Sequence, residues 1–482
     1  MKRINQWLEK IEEQGIEASL FLLGVVLFTP DFPLPGRLPA VRIEEILTPI
    51  LLVILWRKRH TFLRVIRRPM NVLLILLGAV MAISTVNAVA LQGARLSFGD
   101  LMEFVRVFKY LVLYSFMVTM IAESPEKSRA FHRLTGFMDK AVIALLAINW
   151  FQYFNFLYFN RWFSPLYGPA HHVERIIRNS RVIGTFGNPN FFGALMMMIL
   201  LFYFAKFLYD LEGFNRDRRK NLFLIVATWM SLLLTVSRTA ILAAVGGIVV
   251  AGMLFLLLKK GRGLKNLAAM VAMFIVLGFV SNFLIVFSMT AYEDVLRPGF
   301  FAVRYGVEDL YFAARDRFFT GSGEPGEDTE REEREDERMR SRTTHSVAYR
   351  MQDTINEGRS VWARFDVWEV HFARAQESIL IGNGPQKEVF QDEAPVDNEY
   401  LLILRRYGIL GLVLYGGLFA HVLVKFPGGE RKEWFYVFLF SSTAGLMAFN
   451  IAAGSFYHLQ LFPVYIGLVA FYDGVNLRKP AT

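Results

Sequence analysis

The chain reads as an all-α, polytopic integral membrane protein of about twelve transmembrane helices. Three observations carry that expectation. Hydrophobic residues make up 54% of the 482 residues and aromatics 15%, with a mean hydropathy of +0.35, which is too apolar for a soluble chain. The apolar residues fall in runs of membrane-crossing length. Lys and Arg gather in alternate connections between those runs.

Taken in order, the runs cover residues 18–34, 43–56, 70–92, 101–122, 137–158, 189–209, 222–237, 239–258, 266–290, 409–426, 434–454 and 456–474. About 20 apolar residues cross a hydrocarbon core of ~30 Å. The first two runs are short and flanked by proline, so they are expected to be tilted or only partly spanning. Removing both as a hairpin leaves the sidedness unchanged. The N-terminal stretch MKRINQWLEKIEEQGIEASL carries acids, and no small-residue cleavage site follows the first apolar run; that run is expected to stay in the mature protein.

Orientation follows from the basic loops. Arg57, Lys58, Arg59, Arg64, Arg67 and Arg68 share a connection without an acid, as do Lys259, Lys260, Arg262 and Lys265. Both connections are assigned to the cytoplasm. By parity Lys127, Arg129 and Arg133 fall on that side, as do Arg216, Arg218, Arg219 and Lys220, and both termini. These loops account for the net charge of +10, and no nucleic-acid partner is expected. The absence of cysteine excludes a disulfide framework, a thiolate nucleophile and thiolate-ligated zinc.

This sidedness divides the chain into three segments. Residues 1–290 hold spans 1–9 and include an outer loop at 159–187; residues 291–397 form a large outer loop between spans 9 and 10; residues 398–482 hold spans 10–12. Within the large loop, the mixed-charge run 324–342 reads as a solvated segment and is assigned no chemistry. Its acids lack the alternating spacing of a calcium loop. In residues 360–378, Val361, Phe365, Trp368 and Phe372 recur at helical spacing, predicting an amphipathic helix over the membrane face. Asn398 to Arg406 predicts a short helix leading to Gly408 and Gly411 at the start of span 10.

Candidate chemistry concentrates on the outer face. The 159–187 loop holds Arg161, Arg175, Arg178 and Arg181 against the single acid Glu174. A short outer loop this rich in Arg runs against the positive-inside rule, and an anionic ligand would favour it there. Arg238, in T-V-S-R-T-A-I-L, stands where span 7 turns into span 8 on the same face, either functional or snorkelling to headgroups. Arg106 and Lys109, within span 4, could point into the bundle or pair with a carboxylate such as Glu103. Asp139 and Lys140 read as cytoplasmic-edge residues.

Arginine suits a diphosphate, because its fork stays charged and offers paired donors to phosphate oxygens. A lipid diphosphate at the outer face would be met by Arg181, Arg238 and Arg364. These arginines would also stabilise charge developing on a diphosphate leaving group, with no metal or other cofactor required. Asp397, His371 and His345 are the candidate bases. Asp397 precedes a helical run and could equally be its N-cap. The adjacent His171 and His172 are by themselves a weak metal signal, and no metal site is assigned.

In these residues the chain resembles the O-antigen ligase and polymerase superfamily, bacterial membrane glycosyltransferases that use polyprenyl-diphosphate-linked glycans. The resemblance is carried by R-x-x-G-T-F-x-N-P-N from Arg181 to Asn190, S-R-T-A from Ser237 to Ala240, and R-x-x-x-W from Arg364 to Trp368. It continues through G-N-G-P from Gly382, D-N-E-Y-L from Asp397 and G-I-L-G-L from Gly408, and in topology it extends from about residue 70 to 470. It implies an inner-membrane, multi-pass enzyme whose large loop is periplasmic. The implied reaction is inverting, metal-independent transfer of a glycan from undecaprenyl diphosphate to an acceptor hydroxyl, the acceptor being a glycan or a lipid-linked glycan. Arg181 and Arg238 would bind the diphosphate, with Arg238 also serving catalysis and Arg364 assisting. Asp397 or His371 would take the acceptor proton, and Asn188, Asn190, Asn398 and Tyr400 would position sugar or backbone. Family ligases commonly carry His before the Asn of an H-N-x-x-L motif, where this chain has Asp397. That departure leans the expectation toward a polymerase of O-antigen or exopolysaccharide repeats, with ligation to lipid A core and transfer of glycan to protein as the enzyme alternatives.

A transporter of polysaccharide or lipid-linked oligosaccharide is the rival from another class. A twelve-span major-facilitator transporter normally joins two six-span halves by a long central cytoplasmic loop. Here the central connection, 210–221, is short, and the long loop is external and late.

Overall fold

The computed structural model describes residues 9, 11–30, 32, 41–95, 97–154, 159–168, 181–209, 216–258, 359–386, 396–425 and 430–477. The chain divides into two compact units, residues 1–267 with 366–482, and residues 268–365. Of the second unit, only the helical residues 359–365 fall among those described. The apolar run 266–290, the loop residues 291–358 with the charged stretch 324–342 and His345, and the loop residues Arg175, Arg178, His171 and His172 lie outside the described residues.

The described residues form helices and their connections, with no strand beyond an isolated antiparallel bridge between Phe32 and Val41. In chain order the helices are α1 (Gly15–Phe28), α2 (Ile43–Arg57), α3 (Arg59–Ile66), α4 (Pro69–Gln92), α5 (Phe98–Glu123), α6 (Ala130–Phe154) and the short α7 (Phe159–Trp162). They continue with α8 (Pro189–Tyr209), α9 (Arg216–Leu234), α10 (Arg238–Leu258), α11 (Arg359–Gln376), α12 (Glu399–Leu423), α13 (Glu430–Phe449) and α14 (Leu461–Asn476). Six described helices are long and apolar enough to cross a membrane: α4, α5, α6, α8, α10 and α12. The helix α1 has 14 residues, about 21 Å at 1.5 Å per residue, and so falls short of a hydrocarbon core of ~30 Å. This agrees with the short, proline-flanked character of the first apolar run.

The centre of the larger unit is α8. Its side chains are buried on nearly all sides, because α9, α10 and α13 pack around it; a helix apolar all round needs such neighbours. A second group forms where α14 packs on α5 and α12 packs on α4. The polar ends are tied by ion pairs. Arg42 is buried, donates to Glu44 at 2.6 Å and to the Thr29 carbonyl at 2.8 Å, and thereby closes the C-terminal end of α1. Lys109 reaches Glu45 at 3.0 Å and Glu44 at 3.8 Å, so its partner is α2 rather than Glu103. Asp139 accepts from Tyr203 at 3.0 Å and from Lys220 at 2.7 Å.

The short helix expected over 398–406 is present as the first part of α12, and the backbone breaks at Gly408, with φ 65° and ψ −168°. The G-N-G-P turn is laced into that break. Asn383 and Gly384 N–H groups donate to the carbonyls of Arg405 and Arg406, each at 2.9 Å, and the Ile409 N–H donates to Ile379 at 2.9 Å. From α4, Asn87 donates to the Gly382 carbonyl at 3.2 Å and the Ser84 hydroxyl to Ile381. Residues 378–384 are thus held between α4 and the kink of α12.

Candidate active site

The site begins with the loop 181–188, which carries the R-V-I-G-T-F-G-N sequence. Gln152 of α6 fixes it from one side, accepting from the N–H groups of Ile183 at 3.1 Å and Gly184 at 2.8 Å while donating to the Gly184 carbonyl at 3.1 Å. The Thr185 hydroxyl donates to Leu27 of α1 at 2.7 Å. Arg181 fixes the other side: its Nε donates to the Thr235 carbonyl at 2.9 Å, and its terminal nitrogen donates to Asn190 Oδ1 at 3.0 Å. Arg181 therefore clasps the turn between α9 and α10. That turn is strained, since Val236 has φ 52°, an outlying conformation for a β-branched residue.

Arg238 is the first residue of α10 and is exposed. Its charge acts on Arg181, whose pKa is lowered first by burial and second by Arg238. A cation at a helix N-terminus stands at the positive end of the helix dipole. A second guanidinium nearby compounds the repulsion. Asn188 accepts the Asn190 N–H at 2.8 Å at the start of α8, and the bonds of Arg181 to Asn190 and to the Thr235 carbonyl bring the starts of α8 and α10 together. Such a place attracts an anion through N–H groups, dipoles and guanidinium forks together.

The far wall is the turn 450–460 between α13 and α14. His458 lies against Phe191 with ring centroids 4.0 Å apart and stacks on Phe186 at 5.4 Å. Its Nε2 faces the Phe186 carbonyl at 3.3 Å, and its Nδ1 accepts from the N–H groups of Gln460 and Leu461 at 3.3 and 3.1 Å. That pattern makes Nε2 the protonated nitrogen. His458 is thus a neutral plate whose Nδ1 caps the start of α14.

Next to it, Tyr457 lies between two guanidiniums, with Arg106 5.5 Å and Arg406 5.1 Å from its ring centroid. Arg406 is neutralised by Glu103 at 2.6 Å, and Tyr407 bonds the same carboxylate. Of the two pairings open to Arg106, Glu103 is therefore taken by α12. Among the described residues Arg106 has no carboxylate partner, and its Nε is buried without a hydrogen bond. The sequence offered one signal for this residue, an arginine inside an apolar run. Gln152, Tyr457 and His458 gave none, because each is an unremarkable polar residue until the fold brings its turn to the 181–188 loop.

The remaining expected residues are placed as follows. Asp397 is exposed, and the N-cap of α12 is Asn398, whose side chain accepts from the Leu401 N–H at 3.1 Å. Capping thus falls one residue later than the alternative reading of Asp397. The Tyr400 hydroxyl donates to the Met447 carbonyl at 2.7 Å, tying α12 to α13. His371 is buried, with its Nδ1 2.6 Å from Arg405 Nη1. Arg364 is exposed on α11 and belongs to the second unit. The fold brings together Arg181, Arg238, Asn188 and Asn190 directly. Beside Asn398, Glu399 accepts the Phe456 N–H at 3.0 Å, joining the α12 start to the same 450–460 turn. Among the described residues no group of three His, Asp or Glu side chains is placed to hold a metal ion.

No curated protein matches the chain. Residues 223–416, less than half of its length, match the family model described as O-antigen ligase. The matched stretch includes the Arg238 turn, the G-N-G-P turn and the kinked start of α12, and over these residues the chain is similar to the O-antigen ligase family.

Proposed function

We propose that the chain is a glycosyltransferase that moves a glycan from undecaprenyl diphosphate to an acceptor hydroxyl at the periplasmic face, joining O-antigen or exopolysaccharide repeats. The observation that carries this reading is the nearness of Arg181, bonded to Asn190 of α8 and to the Thr235 carbonyl, to Arg238 at the start of α10, where their charges are offset by no carboxylate among the described hydrogen bonds and ion pairs. A lipid diphosphate supplies the missing negative charge. Arg106 faces the same need from the Tyr457 side.

In the reaction, an acceptor hydroxyl oxygen attacks the anomeric carbon and its proton passes to Asp397. The bond to the diphosphate oxygen breaks with inversion. Arg181 and Arg238 stabilise the charge that collects on the departing diphosphate. Asp397 is preferred to His371 as the base because it is exposed, whereas His371 is buried.

A labelled lipid-linked repeat supplied alone to the purified protein tests the reading. A polymerase lengthens it and releases polyprenyl diphosphate. A ligase requires a second acceptor, and a transporter moves the intact lipid-linked glycan without release. The absence of release under every acceptor condition would exclude glycosyl transfer.

Arg106→Gln separates binding from chemistry. Losing one charge-assisted contact costs about 1.5–3 kcal/mol, so the donor KM is expected to rise tenfold or more. Because Arg106 holds no carboxylate and faces only the Tyr457 ring, the melting temperature should fall only slightly, by the roughly 0.5–2 kcal/mol of a cation–π contact. An unaltered donor KM would remove Arg106 from the binding site.

A further inference from the structure

The N-terminal parts of α1 and α6 flank an open cavity of about 600 Å³, lined chiefly by Glu17, Leu20, Arg129, Arg133, Phe137 and Lys140. It belongs to a different face from the candidate active site. On α6 the cavity runs from Arg133 to Lys140, whereas Gln152, which grips the 181–188 loop, lies 12 residues beyond Lys140. That separation is about 18 Å along a helix. The basic loops assign this end to the cytoplasm.

The cavity joins two chemistries. Its rim is cationic. Arg129 and Arg133 share Glu126, at 3.8 and 3.1 Å, and Arg133 also approaches Glu17 at 3.7 Å. Lys140 is left over: its sequence neighbour Asp139 turns away to Tyr203 and Lys220, and no acid partners Lys140 among the described residues. The floor is open and apolar. Leu20 and Phe137 form its walls, and a Cβ built on Gly136 would meet nothing within 4 Å. One turn further into the membrane, Phe21 is 67% exposed on α1 and Ile143 is 58% exposed on α6, so the apolar wall continues away from the charged rim.

We propose that this cavity is a binding site for an anionic phospholipid of the cytoplasmic leaflet. The phosphate sits among Arg129, Arg133 and Lys140, and the acyl chains run along Phe21 and Ile143. Basic recesses between transmembrane helices take such headgroups, and here the side chains supply both the charge and the adjoining acyl surface. The occupant is a lipid rather than free phosphate because the floor and its continuation are apolar. No part of the proposed glycosyl transfer is needed for this assignment.

The test uses the full-length protein and counts retained lipid by native mass spectrometry after exchange into phosphatidylglycerol or phosphatidylcholine. Wild type should hold phosphatidylglycerol preferentially. The double variant Arg129→Ala with Lys140→Ala should weaken that retention roughly thirtyfold, from two basic contacts near the surface. Gly136→Trp should displace the lipid by filling the floor. Equal retention of the two lipids by wild type, or undiminished retention by the double variant, overturns the proposal. Complete displacement of phosphatidylglycerol by millimolar inorganic phosphate would assign the site to a free anion instead.

Discussion

Arg238→Ala is expected to reduce glycan release from a lipid diphosphate donor by roughly a hundred- to a thousandfold, the size of effect seen when one donor to a developing negative charge is removed. The protein should remain folded and inserted, since the side chain is exposed and its removal relieves repulsion on Arg181. The variant should melt at or slightly above the wild-type temperature. Arg238→Lys should recover only part of the activity, because an ammonium keeps the charge but lacks the paired fork. Full activity of Arg238→Ala in a purified assay would sink the assignment of the diphosphate to this turn. A matching loss of stability would instead make Arg238 a structural residue.

The largest stability effect is expected at the kink of α12. Gly408 has φ 65°, and a Cβ there would lie 2.3 Å from the Leu380 carbonyl carbon. Gly382, with φ 84°, opposes it: a Cβ there would lie 2.3 Å from the Arg406 oxygen. Each glycine is thus pressed against backbone that carries the other's hydrogen bonds, so neither contact can be relieved by a side-chain rotation. Gly408→Ala should cost about 3 kcal/mol or more, combining a backbone region nearly closed to other residues with a direct clash. Thermal melting in detergent checks this, and Gly416→Ala, in the same helix at a position where a Cβ would meet nothing within 4 Å, serves as the comparison. Equal melting of wild type and Gly408→Ala would mean that the kink is not the conformation held in solution.

Much of the architecture was legible because it rests on hydropathy and periodicity. The runs at 101–122, 189–209 and 239–258 correspond to α5, α8 and α10 within a few residues, since a bilayer demands long apolar stretches whatever the tertiary contacts. The pause at Gly408 was also legible, because a glycine between a polar helix and an apolar run marks a change of direction. Pairings were not. Lys109 and Arg106 look equivalent along one helix, yet one is matched by Glu45 and the other stands against Tyr457. Hydropathy has no information about which carboxylate comes within 3 Å across the bundle.

The sequence by itself determined the membrane class, the order of the apolar helices and the arginines at 181 and 238 as candidates for an anion. The tertiary contacts alone reveal that Arg181 clasps the turn leading into Arg238, that Asn398 rather than Asp397 caps α12, and that His458 is a neutral plate. The physical reason is the range of the forces concerned. Helix formation in lipid is dictated by local composition, whereas charge pairing and caps depend on contacts of about 3 Å between residues up to hundreds of positions apart. The stretch from Arg364 to Gly411 illustrates both. Its helices and its break could be read in order, and its role as a wedge between α4 and α12 became visible only when Gly382 met the backbone of Arg406.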